Sequence, residues 1–171
     1  GRVLAGARDA AKITVLDTGW DPDGWPPATI RGIRALLADV DLFLPNADEA
    51  AALTGFADPA AAAVALRADG PPIVVVKGGA AGSLLRVGEE SVALPALPVE
   101  ARDAVGAGDT FDAGFLYGLL EGSMPEAAQA FGSAAAAIYV SRLADRFPTT
   151  DEARQAAAAF DIPFGTDGES R

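Results

Sequence analysis

The chain has 171 residues, half of them hydrophobic, which is enough to bury the core of one ordinary domain. Thirteen basic residues against twenty-four acidic ones give a net charge of −11, which disfavours binding to nucleic acid or to an anionic membrane surface. The sequence contains neither cysteine nor histidine. This excludes disulfide scaffolds, thiol catalysis and Ser-His-Asp chemistry, and it fits the reducing cytoplasm. Carboxylates, lysine, hydroxyls and backbone amides are left to carry any reaction.

The first half of the chain alternates between strand-like and helix-like patterns. Short β-prone runs lie at residues 13–17 and 41–44, and apolar residues at helical spacing predict a helix over residues 28–38. Polar caps predict two more helices, at residues 46–53 and 58–67.

The second half begins with a β-branched run at residues 73–76, of the kind that is buried on both faces of a sheet. A hairpin is predicted next, with strands at residues 83–86 and 91–94. Three helices are then predicted, at residues 109–120, 125–143 and 151–160. This order predicts a layered α/β protein with a mostly parallel sheet and helices on both faces, in which ligands bind at the carboxyl ends of the strands. We expect one domain over residues 1–160 and a flexible polar tail over residues 161–171.

The most informative segment is a glycine-rich bend that leads into the helix at residues 109–120. Gly106 and Gly108 let the backbone turn sharply around Ala107, and the first N–H groups of the helix have no partner within it. Such a bend binds anions, and the helix dipole favours the negative charge of Asp109, which can accept a proton. Phosphoryl transfer needs these parts together. A short Gly-x-Gly-Asp run alone is also typical of an ordinary turn before an acidic helix start.

The longer string around this bend resembles a known family. Residues 103–111, Asp-Ala-Val-Gly-Ala-Gly-Asp-Thr-Phe, closely resemble the C-terminal signature of the ribokinase-like carbohydrate kinases, also called the PfkB family. The resemblance covers residues 13–160. Three further segments are similar to the family in the same order: the Asn-x-x-Glu element at Asn46 and Glu49, the strand and turn at residues 74–82, and the Ala-rich helix at residues 131–142.

The resemblance implies a kinase that uses ATP to phosphorylate a hydroxyl group of a sugar or related small molecule. Asp109 would take the proton of that hydroxyl. The N–H groups around Gly106, Ala107 and Gly108 would stabilise the developing charge. The implied cofactors are ATP and Mg²⁺, with K⁺ as a further candidate.

The resemblance also implies roles for residues outside the bend. Asn46 and Glu49 would arrange Mg²⁺ through its waters, which suits a metal that prefers oxygen ligands. The other implied ligands are Lys77, Gly79 and Gly82 along the ATP, Ser133 beside the adenine, and Asp103 with the Val105 carbonyl at a monovalent cation.

Each of these segments has a structural explanation as well. Asn46 and Glu49 form a good helix cap, and we expect them both to cap the helix and to arrange Mg²⁺. A solvated lysine would explain Lys77, and a tight turn would explain Gly79 and Gly82. An Ala-rich packing helix would explain Ser133, and a turn or strand-end aspartate would explain Asp103.

Members of the family carry, ahead of the matched region, an N-terminal half that supplies most sugar contacts and a β-sheet lid that often forms a dimer interface. We find no match to those parts in these residues. We therefore expect either a fragment of a longer, homodimeric enzyme or a shortened relative. Three functions stay open: a sugar kinase, a nucleoside or vitamin kinase of the same superfamily, and a nucleotide-binding or regulatory module without sugar-kinase activity. The strand that ends in Asp17, beside a loop with Trp20 and Trp25, could face the phosphates. Aromatic residues in a Pro-rich loop more often only pack, so no role is assigned to these three residues.

Overall fold

The computed structural model describes residues 2–10, 12–143 and 147–164. The α/β class predicted from the sequence is confirmed. Across the described ranges, every helix is too short or too polar to traverse a lipid bilayer. The elements in chain order are α1 (Arg2–Asp9), β1 (Val15–Leu16), α2 (Pro27–Leu36), β2 (Leu42–Phe43), α3 (Ala47–Thr54), α4 (Pro59–Ala68), β3 (Ile73–Lys77), β4 (Ser83–Val87), β5 (Glu90–Leu94), α5 (Ala107–Leu120), α6 (Pro125–Val140) and α7 (Thr150–Ala157), with 3₁₀ turns at Leu37–Asp39, Gly79–Ala81 and Ala158–Phe160.

The described residues divide into two compact units. The first comprises those up to Gly78 together with Leu84–Val92, and the second comprises Gly79–Ser83 and those from Ala93 onward. The prediction of one domain with a tail stays a prediction.

The first unit is built on the sheet, whose strand order is β1-β2-β3-β4-β5. Strands β1, β2 and β3 pair in parallel, with Leu16 beside Phe43 and Phe43 beside Val74. The β-branched run of β3 is buried along its whole middle, as its sequence predicts for a strand covered on both faces. Because the three strands run the same way, their carboxyl ends lie at one edge of the sheet.

Two capped helices pack in this unit at the positions that the sequence predicts. Helix α3 begins after Asn46 and ends at Gly55, and α4 begins after Asp58, whose carboxylate accepts the N–H groups of Ala60 and Ala61 at 3.3 and 3.2 Å. The buried face of α4 joins the core that covers β3. Burying that apolar face contributes most of the stability of so short a helix, because helices of this length are marginal in isolation.

The second unit is built on the close crossing of α5 and α6. A Cβ on Gly132 would lie 2.7 Å from the Phe111 carbonyl oxygen, and one on Gly114 would lie 2.9 Å from the Cα of Gly132. The backbones of the two helices therefore touch at a point that has no room for a side chain. Helix α7 packs on α6, and the ring of Phe164 stacks on Phe131 at 4.8 Å.

Several element bounds differ from the prediction. No sequence pattern predicts α1. Helix α6 ends at Val140 instead of residue 143, and the predicted helix at 151–160 ends as a 3₁₀ turn after Ala157. Of the predicted tail, residues 161–164 include the packed ring of Phe164, and residues 165–171 lie outside the described residues.

Candidate functional site

The glycine-rich bend belongs to the second unit and begins α5. Gly106 is the N-cap residue, with φ 85° and ψ 3°, a left-handed conformation that is costly for residues with a side chain. The Ala107 N–H donates to the Ala104 carbonyl at 3.1 Å. Within the described residues, the N–H groups of Gly108 and Asp109 have no acceptor, as is usual in the first turn of a helix. The Ala107 amide is thus already engaged, and Gly108 and Asp109 carry free donors.

Two residues that sequence reasoning did not single out hold the bend in place. Thr110 is buried, and its backbone N–H and its Oγ1 both donate to the Gly106 carbonyl, at 3.0 and 2.9 Å. Tyr139, on α6, is also buried, and a Cβ on Gly106 would lie 2.7 Å from its hydroxyl oxygen. Thr110 is part of residues 103–111, which resemble the family signature, so the sequence could have indicated its importance. Nothing in the sequence pointed to Tyr139.

Asp109 lies in the first turn of α5 and is exposed. Its carboxylate makes no hydrogen bond or ion pair with the described residues. The partial positive charge at the start of the helix favours a negative group at this position. An unpaired carboxylate beside free amide donors can receive a proton from a bound hydroxyl while the amides face an anion.

Asp103 shapes the entry to the bend. Its Oδ1 accepts the Val105 N–H at 3.0 Å, which is an Asx turn, and its own N–H donates to the Val140 carbonyl at 3.4 Å. Among the residues with assigned positions, no group of three or more acidic side chains could by itself hold a metal ion. The turn explanation of Asp103 is therefore confirmed, and its role at a monovalent cation stays a prediction.

In the first unit, Asn46 and Glu49 form the predicted helix cap. Asn46 Oδ1 accepts the Glu49 N–H and Glu49 Oε2 accepts the Asn46 N–H, both at 2.9 Å. Glu49 is only 2% exposed, and its Oε1 accepts no hydrogen bond from the described residues. That oxygen is not among the fully enclosed side-chain atoms that lack a hydrogen-bond partner, so water or a cation can reach it. The pair therefore fits Mg²⁺ held through water, because one oxygen remains for the ligand after the cap is made.

Lys77 ends β3 at the carboxyl edge of the sheet. Its Nζ lies 3.1 Å from Asp17 Oδ2, and its side chain is 10% exposed. Its N–H donates to the Pro45 carbonyl at 2.9 Å, and it forms a parallel bridge with Asn46. Lys77 is therefore not the solvated lysine of the structural alternative. Asp17, to which the sequence gave no role, is one of its partners.

Gly79 and Gly82 lie in the second unit, at the two ends of the 3₁₀ turn. The Gly82 N–H donates to the Gly79 carbonyl at 3.0 Å. Gly82 has φ 92°, and a Cβ there would overlap the Leu94 carbonyl oxygen. A tight turn therefore requires glycine at position 82, and the role of both glycines along ATP stays a prediction.

A polar cluster connects the start of β4 to α6 in the same unit. Gln129 is fully buried, and its Nε2 donates to the carbonyl oxygen and the Oγ of Ser83, at 3.1 and 3.0 Å. Ser133, one turn further along α6, places its Oγ 3.4 Å from Ser83 Oγ. Ser133 thus lies beside the residue that follows Gly82. Gln129 was missed, although two polar residues four apart on an Ala-rich helix share a face and signal a polar contact.

Of the two tryptophans in the Pro-rich loop, one is packed in the core, as expected from the sequence. Trp25 is 7% exposed and belongs to the core of the first unit, whereas Trp20 is 60% exposed and meets it edge-on at 5.8 Å between ring centroids.

Comparison with known proteins connects these features to a family. The family model described as pfkB family carbohydrate kinase matches residues 1–152. A protein of Archaeoglobus fulgidus described as an uncharacterized sugar kinase is 35% identical over 130 residues, which cover 74% of this chain and 51% of that protein.

Two solved structures extend the comparison. A ribokinase from Thermotoga maritima matches with a TM-score of 0.73 and 32% identity, over 90% of this chain and 52% of the other. The Arabidopsis thaliana ribokinase complexed with ribose and ATP matches with a TM-score of 0.76 and 27% identity, over 91% of this chain and 51% of the other. The chain thus spans about half the length of these relatives.

Proposed function

The chain belongs to the pfkB family of carbohydrate kinases, and on this premise we propose that it transfers the γ-phosphoryl group of ATP to a hydroxyl group of a sugar or related small molecule. The observation that carries the proposal is the bend before α5, where free amide donors and the unpaired carboxylate of Asp109 share one helical turn. The complex of the Arabidopsis ribokinase with ribose and ATP supports the choice of nucleotide and acceptor class.

In the proposed reaction, Asp109 accepts the proton of the acceptor hydroxyl while the hydroxyl oxygen attacks the γ-phosphorus. A new O–P bond forms, the bond from the γ-phosphorus to the bridging oxygen breaks, and ADP leaves with that electron pair. The N–H groups of Gly108 and Asp109 donate to the charge that develops on the transferred group. A positioned general base contributes about 10²–10⁴ in rate.

The other residues hold the nucleotide and its metal in this proposal. Asn46 and Glu49 would hold Mg²⁺ through its waters, and the ion would neutralise charge on the phosphates. Lys77 adds a positive charge at the edge of the sheet. The remaining proposed contacts are those of Gly79, Gly82 and Ser133 with the nucleotide and of Asp103 with a monovalent cation. The cysteine-free composition supports a cytoplasmic location.

The test of the catalytic base is the substitution Asp109→Asn. We expect kcat to fall by about 10²–10⁴ with the dissociation constant of MgATP unchanged within about twofold, because only the proton acceptor is lost. Asp151→Asn is the matched control, since Asp151 is an exposed aspartate in the first turn of α7 in the same unit. Near-normal turnover in Asp109→Asn would refute the assignment.

A second measurement separates the kinase from a nucleotide-binding module. The protein is incubated with MgATP and a panel of sugars, nucleosides and vitamins, and release of ADP is followed. Acceptor-dependent ADP release identifies the acceptor class. ATP binding without release on any acceptor would favour the module.

A further inference from the structure

An ion pair spans strand β2 at the carboxyl edge of the sheet. Asp17 follows β1 and Lys77 ends β3, and β2 lies between these two strands. Neighbouring strands are about 4.8 Å apart, so the pair bridges two strand spacings, roughly 10 Å. The Lys77 side chain is therefore directed across the end of β2 to bring its Nζ within 3.1 Å of Asp17 Oδ2.

The sheet does not need this ion pair to hold the three strand ends together. Backbone hydrogen bonds already join them, from the Leu44 N–H to the Leu16 carbonyl and from the Lys77 N–H to the Pro45 carbonyl, both at 2.9 Å. Ion pairs with an exposed member add little stability, and Asp17 is 34% exposed. A role in holding the ends of β1, β2 and β3 together therefore explains little about the pair.

The pair does decide where the ammonium group is. A lysine side chain has four rotatable bonds and is usually mobile, but that of Lys77 is 10% exposed and its Nζ lies 3.1 Å from the Asp17 carboxylate. The bridge between Lys77 and Asn46 fixes the backbone from which it departs. The ammonium group is thus held at the edge where parallel sheets bind ligands, in the same unit as the free Oε1 of Glu49.

We propose that Asp17 is a positioning residue for ATP, whose carboxylate holds the Lys77 ammonium group where it meets the phosphate oxygens. The inference rests on the proposed function, because it takes Lys77 as a phosphate ligand. Lysine binds phosphate as a point charge, so its contribution depends on where that charge is held. Asp17 itself touches neither phosphate nor acceptor in this arrangement and acts through Lys77.

The test is a double-mutant cycle on MgATP binding, with Asp17→Asn, Lys77→Met and the double variant, measured by calorimetric titration. We expect each single variant to bind MgATP about tenfold more weakly than the wild type. We expect the double variant to be within about twofold of Lys77→Met, since Asp17 has nothing to position once the ammonium group is gone. The coupling between the two positions would then be about tenfold, or about 1.4 kcal/mol.

Three controls separate positioning from a structural role. Asp17→Glu keeps the carboxylate and should recover most of the affinity. Asp69→Asn removes the carboxylate that pairs with Arg34 at 2.6 Å in the same unit, just ahead of β3, and should leave MgATP binding unchanged. The KM for the acceptor should stay the same in Asp17→Asn.

The inference is wrong if the two single penalties multiply in the double variant, or if Lys77→Met leaves MgATP affinity unchanged. It is also wrong if Asp17→Asn raises the acceptor KM and lowers the urea midpoint as strongly as it weakens ATP binding. A wild-type protein that binds MgATP but phosphorylates nothing would sink the proposed function alone, because this cycle is read from binding. A wild-type protein that does not bind MgATP would overturn both.

Discussion

The bend before α5 can be tested by adding a single methyl group at Gly106. Gly106→Ala meets two obstacles: the backbone there has φ 85°, and the new Cβ would lie 2.7 Å from the Tyr139 hydroxyl oxygen. Gly88→Ala is the matched control, because Gly88 also has a positive φ, 55°, but its added Cβ would meet nothing within 4 Å. The difference between the two variants therefore isolates the contact with Tyr139.

The expected magnitudes follow from these two obstacles. The left-handed conformation costs an alanine about 1–2 kcal/mol relative to glycine, and this applies at both positions. Overpacking in a region without room adds about 1–3 kcal/mol. Tyr139 cannot move away freely, because it is buried and its ring packs on Phe147 at 5.2 Å between centroids. We expect Gly106→Ala to lower the free energy of unfolding by about 1–3 kcal/mol more than Gly88→Ala does.

Two assays check this expectation. Urea unfolding gives the free energies, and steady-state kinetics gives kcat, which should fall in Gly106→Ala because the amides of the bend and the Asp109 carboxylate are displaced together. Displacement of a reacting group by 1 Å costs on the order of 100-fold. If Gly106→Ala destabilises no more than Gly88→Ala and keeps wild-type turnover, the bend does not have the geometry described above.

Two further predictions concern stability. Gly132→Ala should destabilise the protein by about 1–3 kcal/mol because its Cβ would lie 2.7 Å from the Phe111 carbonyl oxygen. The control Gly32→Ala, in an exposed turn of α2 with nothing within 4 Å of the added Cβ, should stabilise it by about 0.5–1 kcal/mol. Urea midpoints measure both changes, and midpoints that shift in the same direction in the two variants would contradict the close crossing of α5 and α6. Hydrogen bonds from the Arg142 side chain and from the Thr149 N–H lower the pKa of Glu152 to about 2 from 4.5, so these interactions stabilise the fold above about pH 4.5 and are lost as pH falls toward 2. The urea-midpoint advantage of the wild type over Glu152→Gln should therefore shrink between pH 6 and pH 3, and a constant advantage would argue against the pair.

Structure was predicted correctly from the sequence where a short segment of the chain determines its own conformation. Asn46 and Glu49 are three residues apart, so the helix cap that they form could be predicted from their spacing alone. The β-branched run of β3 likewise predicted a strand buried on both faces. The end of α6 was placed three residues late, because helix propensity does not indicate where tertiary contacts stop supporting a helix.

The contacts that sequence reasoning missed join residues far apart in the chain. Asp17 and Lys77 are 60 positions apart, and Gln129 and Ser83 are 46 apart. No local pattern identifies the partner in either pair, because the partner depends on the register of strands or on how α6 lies against the start of β4. Tyr139 is a third case, since only its position under Gly106 makes it part of the bend.

The sequence by itself determined the family, the α/β class and the residues of the bend, because these depend on short strings whose residue types and spacing act locally. Tertiary structure alone decided that Lys77 pairs with Asp17 and that one oxygen of Glu49 has no donor among the described residues. It also decided that Gly106 has no room for a side chain. The physical reason is that burial and pairing are properties of the whole packed unit, in which a side chain's neighbours are set by segments that the local sequence does not contain.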